Sequence, residues 1–210
     1  MINKRLQEKG FLAKLLEQGI RILLKKECKE INNIKIDIIS SSTQIIKGEI
    51  QEINIIAENI NYKDLLFDSF KLKANYFKIN FKLSNKKIGF INNPSIKFKI
   101  SLSEDSLKTI LLSKRWNWIG NMITKKILSQ EKLEDLKIRN NQLLIKASKK
   151  NININQEEQI NIKIDQGKVH ILNTTYNKSI QIPIEDKISI QNVNIENNII
   201  NIYGNSTIDF

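Results

Sequence analysis

Between residues 70 and 83 the sequence reads FKLKANYFKINFKL, and its apolar positions change parity partway along. Phe70, Leu72, Ala74 and Tyr76 share one parity; Phe77, Ile79, Phe81 and Leu83 share the other. Side chains on a strand alternate between its two sides, so a strand with one dry side should keep its parity. About fourteen extended residues span roughly 46 Å, more than twice the length of an ordinary strand. The slip recurs in IQEINIIAENINY, where Ile53, Ile55 and Ala57 give way to Ile56, Ile60 and Tyr62. A bulge near Tyr76–Phe77 would turn the backbone and add twist. The pattern predicts a long, strongly twisted antiparallel sheet that curls around a hydrophobic body.

Two segments with helical periodicity offer that body. In residues 1–29, Leu12, Leu15, Leu16, Ile20 and Leu23 recur at helical spacing, flanked by Lys9, Lys14, Lys25 and Lys26. Residues 103–129 open on Ser103 as an N-cap, with Glu104 and Asp105 in the first turn where the helix dipole favours negative charge. Long strands are predicted over 31–102, with KDLLFDS as a loop or short helical turn. A strand meander is predicted over 133–210, with hairpins at Asn140–Asn141 and Gln166–Gly167 and Pro183 at an edge or bulge. Seven glycines and two prolines leave no material for linkers, so 1–210 reads as a single domain. The expected fold class is α+β, an antiparallel sheet curled around long amphipathic helices.

The formal charge of +12 bears on partners rather than on fold. Nearly all of it is lysine, with arginine only at Arg5, Arg21, Arg115 and Arg139. Lysine acts as a mobile point charge, whereas base reading favours the planar guanidinium, so the balance points to anionic lipid before nucleic acid. Cys28 and His170 are single, which rules out an internal disulfide and leaves no thiolate or imidazole metal set. His170 is expected to face solvent on a strand. The glycines form neither a Walker loop nor a dinucleotide fingerprint. Asp64 and Asp68, and Glu131, Glu134 and Asp135, lie close in sequence but read as solvated faces rather than acid–base pairs. No catalytic residue, cofactor or metal is expected. The amino terminus lacks a secretory apolar region, and no run of about 18 apolar residues occurs, so the expected place is the cytoplasm, peripheral at an inner membrane face.

Residues Ile46 to Phe81, IKGEIQEINIIAENINYKDLLFDSFKLKANYFKINF, resemble the signature of the LmeA-like phospholipid-binding family of bacteria. The family's recurring positions are matched by Gly48, Ile53, Ile55, Ala57, Tyr62, Leu65, Leu72, Ala74 and Ile79. The order of a leading helix, a strand pair, a helix near EDSLKTILL and a closing NIINIYGNSTI also agrees. Two features depart from the family: IPIEDKISI replaces a Leu-Gly step, and the leader of exported members is lacking. The resemblance implies a tubular lipid-binding (TULIP-like) fold with an apolar groove. It implies non-enzymatic binding or transfer of a glycerophospholipid at a membrane surface. The groove is expected to be lined by Phe70, Leu72, Tyr76, Phe77, Ile79 and Phe81 from the strand, with Leu107, Leu111, Trp118 and Met122 from the helix. Lys14, Arg21, Lys25, Lys26, Lys114 and Arg115 are expected to face the anionic membrane. The alternative is a single-stranded nucleic-acid module in which SKRWNW supplies the stacking tryptophans Trp116 and Trp118 beside Lys114 and Arg115.

Overall fold

A computed structural model describes residues 10–82, 87–148 and 157–207, with side chains 80–82 and 87–90 outside the description. Helix α1 (Phe11–Glu27) leads into β1 (Glu30–Ile39), the short α2 (Ser42–Ile46), β2 (Glu49–Tyr62) and β3 (Leu65–Lys82). Then follow β4 (Lys87–Phe90), β5 (Ser95–Ser103), α3 (Glu104–Leu112), α4 (Asn117–Ile123) and a π-helical turn, Thr124–Leu128. Strands β6 (Lys132–Arg139), β7 (Gln142–Ser148), β8 (Glu157–Asp165), β9 (Lys168–Asn173) and β10 (Lys178–Gln181) precede β11 (Ile188–Glu196) and β12 (Ile199–Thr207).

The expected α+β architecture does not form. The described chain is mostly strand, arranged as two antiparallel sheets, and its longest helix has 17 residues. One sheet runs β1-β2-β3-β5-β12-β11, with β4 beside the far end of β3; the other runs β10-β9-β8-β7-β6. The predicted meander is therefore split, because β11 and β12 return to the first sheet. Among the described residues no sheet curls around a long helix. The helix expected over 103–129 is broken into three pieces for a local reason. The Ser113 hydroxyl donates to the Ile110 carbonyl (2.8 Å) and accepts from the Trp116 amide (3.1 Å), so a side chain takes over bonds that a continuing helix would supply. Ser129, at φ 56°, ends the π-helical turn.

The parity slips are real, and they come in pairs. Ile50 pairs with Phe77 and Ile53 with Ala74, all four buried; Ala57 pairs with Phe70 and Ile60 with Phe67. Between each couple the inward positions lie three residues apart on both strands, so β2 and β3 change sides together and keep one register. Each slip has one left-handed residue: Tyr76 of β3 (φ 49°), opposite Gln51, and Asn59 of β2 (φ 49°), opposite Asp68. Tyr76 is thereby turned out of the sheet and is 79% exposed. The β2–β3 connection is a two-residue turn with both Lys63 and Asp64 at positive φ, the hairpin geometry that matches strand twist, so no helical turn occurs there. Asn140–Asn141 and Gln166–Gly167 form the expected tight turns. His170 is half-buried between Lys163 and Gln181 rather than facing open solvent.

Both cores lie on one side of the first sheet. The row Ala57, Phe70, Ile100, Ile202 and Val193 crosses five strands and links them. At one end α1 lays Leu12, Ala13, Leu16, Ile20 and Leu24 on β1–β3. At the other, the second sheet and α3–α4 pack on β5, β12 and β11. Helices also satisfy two strand edges that would otherwise invite pairing with another chain. Arg21 Nη1 donates to the Ile34 carbonyl (2.6 Å) and Glu17 Oε1 accepts from the Ile38 amide (3.0 Å) along β1. On β6, Glu104 accepts from the Ile138 amide and Asn121 from the Leu133 amide.

Ser103 joins strand, helix and sheet. Its hydroxyl accepts from the Ser106 amide (3.3 Å) and donates to Asp68 on β3 (3.0 Å). Replacing it by alanine removes the cap and leaves Asp68 one donor short. Ser103→Ala should cost about 1–2 kcal/mol, read as a lower urea midpoint at unchanged slope.

Candidate functional site: an apolar chamber between the sheets

Where the second sheet faces β5, β12 and β11, the large aliphatic side chains do not close the space. A chamber of about 210 Å³ remains. Its floor is Leu102, Val193, Ile200 and Ile202 of the first sheet, and its roof includes Leu136, Ile145 and Ile171 of the second. Leu107 and Leu111 of α3 and Ile119, Gly120 and Ile123 of α4 close one side. Every lining residue is Ile, Leu, Val or Gly. A wall without donors or acceptors gives water nothing to bond. Gly120 fits because α4 lies against β6 there; a Cβ would stand 2.6 Å from Leu133 Cδ2.

A second space of about 210 Å³ adjoins it and shares Leu143, Ile160, Ile162 and Val193 with it. Its remaining wall brings Ile195 with Asn141, Gln142 and Asn161, so three amide side chains join five aliphatic ones there. This second space lies under two hairpin turns: Asn141 Oδ1 of the β6–β7 turn accepts from the Asn198 amide of the β11–β12 turn (3.4 Å).

The expected groove residues are not gathered in one place. Phe70, Leu72, Phe77 and Ile79 belong to the core beneath α1, and Tyr76 points outward. Phe81 pairs with Ile88 through its backbone, and its side chain lies outside the described residues. Only Leu107 and Leu111 reach the chamber. Trp118 is 45% exposed, and Met122 is half-buried away from the chamber wall. The alternation in INIKIDQGKVHILN is the available signal for the roof, but nothing in it distinguishes a wall from a filled core.

The expected basic set divides as well. Lys14, Lys25 and Lys26 are exposed on α1, whereas Arg21 is committed to the edge of β1. Lys114 and Arg115 are exposed in the α3–α4 turn, and Arg115 stacks on Trp116 at 5.8 Å. Trp116 donates its indole N–H to the Lys63 carbonyl (3.0 Å), which fixes it against the β2–β3 turn and parts it from Trp118. A separate basic patch lies outside the expected set. On the open side of the first sheet Lys71 stands directly opposite Lys99, and Lys73 opposite Lys97, with Lys99 above the Tyr203 ring at 5.1 Å. The pairing of β3 with β5 across a long sequence gap makes this grid, and no local pattern announces it.

The carboxylates have structural partners. Asp64 pairs with Lys29 and Asp135 with Lys108, each at 2.5 Å, and Asp68 holds Ser103. The Lys108 hydrogen bond lowers the Asp135 pKa against the opposing effect of burial, and Lys29 does the same for Asp64. Among the described residues no group of three or more His, Cys, Asp or Glu could hold a metal ion. No helix of the described residues is long and apolar enough to cross a membrane. No family model, curated protein or solved structure matches this chain.

Proposed function

We propose that the protein binds, without catalysis, a lipid whose acyl chain occupies the chamber between the two sheets. The single observation behind this reading is a wall made only of aliphatic side chains and glycine, beside a second space that adds three amide side chains. The resemblance of residues 46–81 to the LmeA-like family supports the same ligand class, although the TULIP-like fold expected with it is absent.

Size limits the ligand. A dry cavity of about 150 Å³ accepts benzene, so 210 Å³ accommodates roughly eight carbons of a chain. At about 0.8 kcal/mol per buried CH₂ this segment contributes about 6 kcal/mol, which corresponds to binding in the tens of micromolar before ordering costs. Ligand pockets usually measure about 300–1,000 Å³, so both tails of a glycerophospholipid do not fit inside together. The ligand is therefore a single chain, either a fatty acid, a lysolipid or one tail of a phospholipid whose other tail stays in the bilayer.

Native mass spectrometry of protein mixed with decanoate and with a short-chain lysophosphatidylcholine tests this. A one-to-one adduct that survives gentle desolvation is expected with either. Absence of any adduct, together with no chemical-shift change at Ile145, Ile162 or Val193, would overturn it.

A further inference from the structure

Helix α1 carries two apolar stripes, and only one is used by the fold. Leu12, Ala13, Leu16, Ile20 and Leu24 face the first sheet. About 150° around the helix, Phe11, Leu15 and Ile22 fall within roughly 40° of each other at 100° per residue. They are 77%, 59% and 66% exposed. Lys14 and Lys25 border this outer stripe on one side and Lys26 on the other, all exposed. Both acids of the helix lie elsewhere: Glu17 reaches the Ile38 amide of β1, and Glu27 falls on the sheetward half of the helical wheel. Sequence periodicity merges the two stripes into one, because Leu15 and Leu16 are adjacent.

We propose that the outer side of α1 docks in the plane of an anionic bilayer. Phe11, Leu15 and Ile22 enter the boundary between headgroups and chains, while Lys14, Lys25 and Lys26 meet the lipid phosphates. Charge complementarity selects this occupant: an apolar stripe framed by three lysines and free of acids fits a surface that is greasy and negative together. A second copy of the chain would bring lysine against lysine. The inner stripe and the Arg21 and Glu17 bonds hold α1 on the sheet, so docking requires no refolding and costs little ordering. Docking is independent of chain binding, since the helix can meet a bilayer whether or not the chamber is filled.

The test is vesicle flotation of the full chain at physiological salt, with vesicles of phosphatidylcholine alone and with about a third phosphatidylserine. Binding to the anionic vesicles only is expected. Combined Phe11→Ser, Leu15→Ser and Ile22→Ser should lower the partition coefficient at least tenfold while thermal stability holds, because the three side chains leave no core. Each of Lys14→Gln, Lys25→Gln and Lys26→Gln should lower it about fivefold. Combined Lys71→Gln, Lys97→Gln and Lys99→Gln removes three charges, as many as the three α1 lysines carry together, from the opposite side of the sheet and should change it less than twofold. The proposal is overturned if the serine variant floats like the parent, or if both lysine sets weaken binding equally, which would mark unspecific attraction by net charge. It is also overturned if the serine variant changes a dimer into a monomer without altering flotation. Adduct formation with decanoate is scored separately, so failure of the chamber reading and failure of docking are told apart.

Discussion

Gly48→Ala is expected to destabilise the protein by about 4 kcal/mol or more, enough to leave much of it unfolded at ambient temperature. Gly48 sits at φ 73°, a left-handed conformation that costs an L-residue about 1–2 kcal/mol. The greater cost is steric. A Cβ would stand 2.1 Å from the Ile79 carbonyl oxygen, which is backbone and has no rotamer to change. That approach is fixed by the Ile79 amide, which donates to the Gly48 carbonyl at 2.8 Å. Moving β3 away would pull Phe77 and Ile79 from the core beneath α1. Gly19→Ala is the internal comparison: it lies in α1 with nothing within 4 Å of the added methyl, and should stabilise by about 0.5–1 kcal/mol. Urea unfolding of both variants checks the pair; a mild Gly48→Ala would mean that β2 and β3 do not approach so closely.

Val193→Phe is expected to abolish chain uptake, with at least a tenfold loss of decanoate affinity. Val193 lines both the chamber and the second space beside it, so a phenyl group there takes up volume that an acyl chain would need. In a filled core such an insertion costs about 1–3 kcal/mol, but here it enters existing space and should cost less. Val193→Ala runs the other way. It enlarges the space, keeps uptake, and loses stability by lost contacts and a larger void. Isothermal titration with decanoate and urea unfolding separate the outcomes: undiminished affinity in Val193→Phe would place the chain elsewhere.

Local chemistry is legible in the sequence where one residue decides it. Ser103 caps α3, Asn140–Asn141 and Gln166–Gly167 turn, Pro94 precedes β5 and Pro183 follows the end of β10. The capping box of α2 is also present in SSTQ, where Ser41 and Gln44 bond each other's backbone amides, but so short a helix between two strands looks like plain connection. The parity slip at Tyr76 is legible as a break in alternation. Its cause is not. Alternation alone suggests curvature around a rod, whereas the change of side is a left-handed residue answered by a matching slip on the neighbouring strand, and that answer depends on register. Pairings between distant strands, β5 with β12 above all, decide where the chamber lies and where the lysine grid forms. Alternation within a strand says which residues share a side, and is silent about what the side meets.

The coupled slips of β2 and β3 carry a consequence for how this ribbon can diverge. Deleting Gln51 alone would throw every β2 side chain beyond it to the wrong side, Ile53 into solvent and Asn54 inward. Removing one from each, at Gln51 and Tyr76, would restore agreement and straighten the ribbon. Length changes should therefore be inherited there as couples, one per strand, at facing positions.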